Sequence, residues 1–315
     1  MPDSAKLYLF AWKHAHKIPE PLLRGAFNLG ADFVWWRRGR GVRRLEANYA
    51  KVRPDLDHKG IRRLSRKGMR SYLRYFREAF TMQAATQKQV CARVRVEGLE
   101  YATSVVDHGK GAVLALGHLG NWDLAGAFAT PNIAPVLAVA EKLKPERLYD
   151  EFVNYRRSIG IEVLGLGDDG VFEGLVKGAK DGPRIICLLA DRDLTSSGIE
   201  VDLANHRARV AAGPAAVALA ADVELLPLMV RYERLTGARR KVARTPWGIV
   251  LTFYPPIPRP DDVDMTDKDS KRAATVQMTQ GWVDAMGDFL TKYTEDWHML
   301  QRVFVSDLDP SRYQP

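Results

Sequence analysis

The chain has 315 residues, 46% of them hydrophobic, and a formal net charge of +9 at neutral pH. That length buries a full core in one large domain, or in one domain with a helical appendage. No run approaches the ~18 apolar residues of a membrane span, so a bilayer-crossing protein is not expected. The apolar patch Leu7–Trp12 is too short for a signal-peptide core and no small-residue cleavage site follows it, which makes the expected location cytoplasmic. The two cysteines, Cys91 and Cys187, show no metal-ligand spacing and read as packing residues.

Residues 4–17 read as a short amphipathic helix, and Glu20–Trp36 as a second, started by Pro19 and Pro21. A third is expected over residues 59–83, where Ile61, Leu64, Met69, Tyr72, Leu73 and Phe76 form an apolar stripe among arginines. The positive charge is concentrated here: Arg37–Glu78 holds fifteen Lys or Arg against four acids. Cations beside Phe33, Trp35 and Trp36 suit the surface of an anionic membrane, where indoles prefer the interface and each cation contributes ~1 kcal/mol. Nucleic acid is the rival partner for such charge, and a solvated helix face with inward tryptophans is the plain alternative. The membrane is favoured because the first ~36 residues offer a second apolar surface and no nucleic-acid module is recognisable. The N-terminal part, residues 1–90, therefore reads as a helical, basic, membrane-facing segment.

From about residue 93 the texture changes. Short apolar runs near 93–96, 111–117, 135–140, 161–165, 184–190 and 223–232 alternate with helical stretches. A hairpin-like return follows at Trp247–Tyr254, then an acidic loop, Arg259–Lys271, and a last helix over 271–293. The expected fold is α/β, a single domain over 91–315 with a central, largely parallel sheet flanked by helices.

The run Gly111–Gly117 has the form of a buried parallel strand, and it breaks abruptly into His118-Leu-Gly-Asn121-Trp122-Asp123. Open α/β sheets place reactive groups at such strand ends. A histidine held by a carboxylate is a base tuned to near-neutral pH, and a chain turn between His118 and Asp123 lets that carboxylate reach back. A second strand, Arg184–Ala190, ends in Asp191-Arg192-Asp193, and a parallel sheet brings it to the same edge. Asp191 is then another partner for the imidazole and Arg192 a cation for phosphate; a self-neutralising surface cluster is the alternative.

The string Gly117-His118-x-Gly120-Asn121-Trp122-Asp123 resembles the signature of bacterial lipid acyltransferases. Ala212-Gly213-Pro214, Glu224–Val230 and Glu295-Asp-Trp297-His298-Met-Leu resemble later blocks of the same family, in register from about 90 to 300. The chain is accordingly similar to the lipid A late-acyltransferase-like superfamily, closest to its actinobacterial phosphatidylinositol mannoside branch. The resemblance implies a peripheral protein on the cytoplasmic face of the membrane that moves an acyl chain, expected to be palmitoyl, from acyl-CoA to a sugar hydroxyl of an anionic glycolipid. It implies no cofactor beyond the acyl-CoA substrate and no nucleic-acid partner. His118 then resembles the catalytic base, Asp123 the motif carboxylate, and Asp191 stands where the mannoside enzymes carry a glutamate partner. Asn121, Trp122, Glu141, Arg156 and Arg192 are the expected substrate-binding residues, with Glu141 and Arg156 as a polar pair near the groove. Aspartate at 191 is one methylene shorter than glutamate, which leaves open whether Asp123 or Asp191 orients His118.

The chemistry needs no covalent intermediate. A positioned base that accepts the hydroxyl proton during attack on a thioester is worth ~10²–10⁴-fold, and no Gly-x-Ser-x-Gly elbow is present. Backbone N–H groups of residues 117–122, or Arg192, are the candidate donors to the developing oxyanion. Three other readings remain. The first is an acyltransferase on a lipid A-type precursor, and the second a non-catalytic membrane-binding protein. The third is a nucleotide-binding Rossmann protein, prompted by Gly165-Leu-Gly167-Asp-Asp-Gly170, although Asp168 and Asp169 stand where a pyrophosphate would sit. His14 and His16 lie in the N-terminal amphipathic segment and converge with no metal-ligand set.

Overall fold

The computed structural model describes residues 11–142, 145–193, 195 and 197–308, apart from the side chains of 104–107. Residues 4–10 of the first expected helix lie outside that range. Within it, residues 11–14 are helical and end in the 3-10 turn Ala15–Lys17, after which α1 (Glu20–Arg37) starts with Pro21 in its first turn, where a missing N–H goes unnoticed. Arg38 adopts a left-handed conformation and Gly39 an extended one, so a new helix, α2 (Arg40–Val52), begins inside the basic run. It is not among the expected elements. α3 (His58–Met82) starts on Asp57, whose carboxylate accepts the Gly60 N–H. A capping box of Thr86 and Gln89 opens α4 (Gln87–Arg93).

The arginines of this region do more than face solvent. Arg66 and Arg70 converge on Asp32, Arg62 pairs with Glu46 at 2.6 Å and lies 3.7 Å from the Trp35 ring, and Arg74 stacks 3.4 Å from Trp247. Trp35 is turned inward and donates to Ser65, whereas Trp36 is 68% exposed. The two tryptophans thus divide between the packing and the surface roles.

The α/β part runs β1 (Val94–Glu97), α5 (Leu99–Asp107), β2 (Ala112–Leu116), α6 (Trp122–Asn132), β3 (Val136–Ala140), α7 (Glu146–Ser158), β4 (Ile161–Gly165), α8 (Val171–Lys180) and β5 (Ile185–Leu189). A hairpin, β6 (Ile199–Leu203) and β7 (His206–Val210), precedes α9 (Gly213–Ala221), β8 (Glu224–Arg234), α10 (Gly237–Ala243), β9 (Trp247–Phe253) and α11 (Lys268–Tyr293). The main sheet has the order β1-β9-β8-β2-β5-β3-β4. It is parallel from β8 to β4, while β9 returns antiparallel to β8 and β1 runs parallel to β9.

The all-apolar β2 lies between β5 and β8, with every residue buried. Leu116 registers with Leu189, so the chain leaves both strands at neighbouring points on one edge. The helical N-terminal segment is not a separate layer. Leu45, Tyr49 and Phe80 belong to the same hydrophobic core as Val113, Ile186, Trp282 and Met286. The change of texture near residue 90 therefore marks no break in packing.

Candidate active site

The carboxylate of Asp191, just beyond β5, is fully buried and takes three donors. His118 Nδ1 lies 2.6 Å from Oδ1, the His118 backbone N–H donates to Oδ2 at 2.9 Å, and the Trp297 indole N–H donates to the same oxygen at 2.8 Å. An ionised carboxylate only accepts, so the imidazole proton sits on Nδ1 and Nε2 keeps a lone pair. The His118 side chain is 40% exposed. Burial opposes charge on His118, but the Asp191 charge and hydrogen bond outweigh it and hold the imidazole above its ordinary pKa. Burial likewise pushes Asp191 up, yet His118 and the hydrogen bonds it and Trp297 supply hold the carboxyl below its usual range.

Two glycines make the close approach possible. A Cβ on Gly117 would stand 3.2 Å from both Asp191 Oδ2 and Met286 Sδ. Gly120 takes φ +55°, and a Cβ there would meet the Val230 carbonyl at 2.8 Å.

The C-terminal aromatic segment closes over this turn. Gly120 N–H donates to the Asp296 carbonyl, His298 N–H donates to the His118 carbonyl, and Leu119 bridges Trp297. Tyr49 donates to the Trp297 carbonyl and Asn48 to those of Met299 and Gln301, tying the strip to α2. Behind it, Ser71 donates to Asp296 Oδ1 at 2.6 Å and lies 2.9 Å from His298 Nε2. Burial pushes Asp296 up to about 6 and pulls His298 down to about 3. Ser71 is itself buried with its proton on a carboxylate, so this cluster braces the strip and offers no nucleophile.

Asp123 does not reach the imidazole. It sits in the first turn of α6, and its two oxygens accept from Tyr75 at 2.8 Å and Arg156 at 3.0 Å. The helix that begins at Trp122 turns its side chain toward α3 and α7, away from the strand end. Asn121 is likewise corrected: it is fully buried, caps α6 by accepting the Leu124 N–H, and donates to Glu78 at 2.8 Å, so it has no atom for substrate. Glu141 is exposed and pairs with no described residue, so the expected Glu141–Arg156 pair does not form. Trp122 stacks on Tyr75 at 4.1 Å and meets the His118 ring edge-on at 5.6 Å. Arg192 is half-buried, forms no ion pair among the described residues, and lowers the pKa of His118 through its charge.

Sequence reasoning missed the buried Glu78, which receives Arg93 at 2.6 Å, Arg77 at 3.1 Å and Asn121. Burial pushes Glu78 up, but the arginines outweigh it and hold it below the usual carboxylate range. Its one signal is a lone acid at the end of a basic run.

An apolar cavity of about 50 Å³ lies between the sheet and α6, with Leu116, Ala125, Val139, Leu189 and Phe253 in its wall beside Trp122. Asp123 and Arg156 also line it. The Gly165–Gly170 loop is occupied otherwise: Asp168 folds against Gly165 and pairs with Lys142, and β3 separates β4 from β5, whose terminal Asp191 is engaged by His118. That leaves neither the pyrophosphate space nor the ribose carboxylate of a dinucleotide site.

A family model described as bacterial lipid A biosynthesis acyltransferase matches residues 2–306. The phosphatidylinositol mannoside acyltransferase of Mycolicibacterium smegmatis is 36% identical over 309 residues, 97% of this chain and 92% of that protein. Its namesake from Mycobacterium tuberculosis strain H37Rv is 33% identical over 97% of this chain and 90% of its own length. Among solved structures, the 1-acyl-sn-glycerophosphate acyltransferase of Thermotoga maritima aligns with a TM-score of 0.32 and 11% identity, covering 82% of this chain and 97% of that one, a likeness too low to bear on the fold. By a match over nearly its whole length, the chain belongs to the bacterial lipid A biosynthesis acyltransferase family.

Proposed function

We propose that the protein transfers a palmitoyl chain from acyl-CoA to a sugar hydroxyl of phosphatidylinositol mannoside, with His118 as general base. The observation that carries this reading is the His118–Asp191 pair at the end of β2, with Nε2 unengaged by any described residue. The mannoside acceptor rests on the names of the relatives at 33–36% identity.

The hydroxyl oxygen attacks the thioester carbonyl while its proton passes to His118 Nε2. Asp191 holds the ring and offsets the charge that forms on it. When the C–S bond breaks, the imidazolium returns a proton to the coenzyme A thiolate. The N–H groups of His118, Leu119 and Gly120 are already bonded and Asn121 is fully buried, which leaves the N–H of Trp122 and the Arg192 guanidinium as donors to the oxyanion. The apolar cavity beneath α6 supports a place for the start of the acyl chain.

Peripheral attachment at the cytoplasmic face of the membrane belongs to the same proposal. Leu22, Leu29, Phe33 and Trp36 are exposed on one face of α1, next to Arg37, Arg38 and Arg40. No helix among the described residues is long and apolar enough to cross a membrane.

The test incubates purified protein with radiolabelled palmitoyl-CoA and either phosphatidylinositol mannosides or a lipid A precursor, beside His118→Ala. Label should enter the mannoside only with His118 intact. Label in the lipid A precursor alone would favour the second acceptor, which the family description supports. Label in neither lipid, with coenzyme A thioester intact, would favour a non-catalytic membrane-binding protein.

A further inference from the structure

A second cleft, of about 480 Å³, shares no lining residue with the apolar cavity. Arg40, Arg43 and Arg44 enter it from the first turns of α2, Arg302 from the C-terminal strip, and Asn48 and Asp307 complete its wall. Helical spacing of three and four places the α2 arginines on one face. Asp307 is the sole acid among the described residues of that wall, and Lys51 takes both its oxygens at 2.8 Å.

The side chains of Arg40, Arg44 and Arg302 form no hydrogen bond or ion pair with any described residue. In the same region Arg62, Arg66, Arg70 and Arg77 all have carboxylate partners. The start of α2 is equally unneutralised, for Gly39 offers no side-chain cap and the first turn holds no acid. The backbone that carries them is nevertheless fixed: Asn48 donates at 2.8 Å to the carbonyls of Met299 and Gln301, holding the C-terminal strip with Arg302 against α2. Like charges brought together on a fixed frame, with open donors and, among the described residues, no carboxylate paired with Arg40, Arg44 or Arg302, are built for an anion that arrives from outside.

We propose that this cleft binds a phosphate ester. Guanidinium forks match phosphate oxygens in paired hydrogen bonds, and a helix N-terminus adds N–H donors to them. Two sources share that chemistry: the headgroup of an anionic membrane lipid and the phosphates of a nucleotide. The exposed Phe33 and Trp36, four to seven residues before Arg40, place the lipid first. The cleft lies outside the catalytic pair and its test does not depend on acyl transfer.

The experiment compares the wild-type chain with Arg40→Gln/Arg44→Gln/Arg302→Gln and with Lys180→Gln/Lys268→Gln/Lys292→Gln, which removes the same charge from exposed sites outside the cleft. Co-sedimentation with phosphatidylcholine vesicles containing phosphatidylinositol reads the lipid source, and titration calorimetry with adenosine 3′,5′-bisphosphate reads the nucleotide source. The cleft variant should bind at least one probe about tenfold more weakly, with the control within about twofold of wild type. Loss with vesicles assigns the headgroup, and loss with the bisphosphate assigns the nucleotide. Equal weakening by both variants, or no binding of either probe by the wild-type protein, overturns the proposal. Arg302→Gln alone gives the same reading if the triple variant melts early. If pure phosphatidylcholine vesicles bind equally well, the membrane reading fails while the calorimetric arm still decides the cleft.

Discussion

The end of β5 and the start of α6 each bury one carboxylate, and they treat it differently. Asp191 accepts from an imidazole, that residue's own backbone N–H and an indole, so its charge is delivered to a partly exposed ring. Asp123 accepts from a phenol and a guanidinium, and its charge is consumed inside the wall. Proximity in sequence favoured Asp123, five residues from His118. The parallel register of β2 and β5 favours Asp191, 73 residues away, and the register prevails.

Substitutions that break one region should leave the signature of the other intact. The largest effect is expected for His118→Ala, a loss of ~10²–10⁴-fold in acyl transfer read by label incorporation. Asp191→Asn should follow, with a loss on the order of 10²-fold, because a neutral amide no longer favours the imidazolium that forms during transfer. Its pH profile carries the sign. Asp191 raises the His118 pKa, so wild-type turnover should climb as pH passes upward through that raised value, and the climb should move to lower pH without the charge.

Asp123→Ala should act on stability instead. It leaves the buried Arg156 without its partner, a change expected to cost about 3–5 kcal/mol in chemical denaturation, while the pH of the remaining climb in turnover stays put. Trp297→Phe removes one donor to a charged acceptor and should lower stability by about 1.5–3 kcal/mol. Asp191 then becomes less acidic, so the contribution of its depressed pKa, present above the ordinary carboxylate value and lost as pH falls, should shrink. Trp36→Ala is the mildest change. Its ring is exposed, so unfolding should shift by no more than about 0.5 kcal/mol, while co-sedimentation with anionic vesicles should fall.

Much of the sheet was legible because burial leaves an apolar run: β2, β3, β5 and β8 fall within a few residues of expectation, as does the edge strand β4 despite its exposed Glu162. The β6–β7 hairpin was not, since its two-residue turn uses Ala204 and Asn205 at positive φ where glycine would have announced it. The division between α1 and α2 was hidden for a similar reason: an arginine takes the left-handed position beside Gly39. At the site, His118 and both aspartates were legible as reactive types at strand or helix ends. Which aspartate faces the ring was not, because it depends on strand order. Asn121 reads as a polar motif residue, yet its role is a helix cap held by Glu78, and Glu78 comes from a helix 43 residues earlier.

The most direct test is the pH dependence of label transfer from palmitoyl-CoA to phosphatidylinositol mannoside by wild type, Asp191→Asn and Asp123→Asn. The account predicts that only Asp191→Asn moves the rising limb to lower pH. A limb that moves with Asp123→Asn and stays fixed with Asp191→Asn would contradict it.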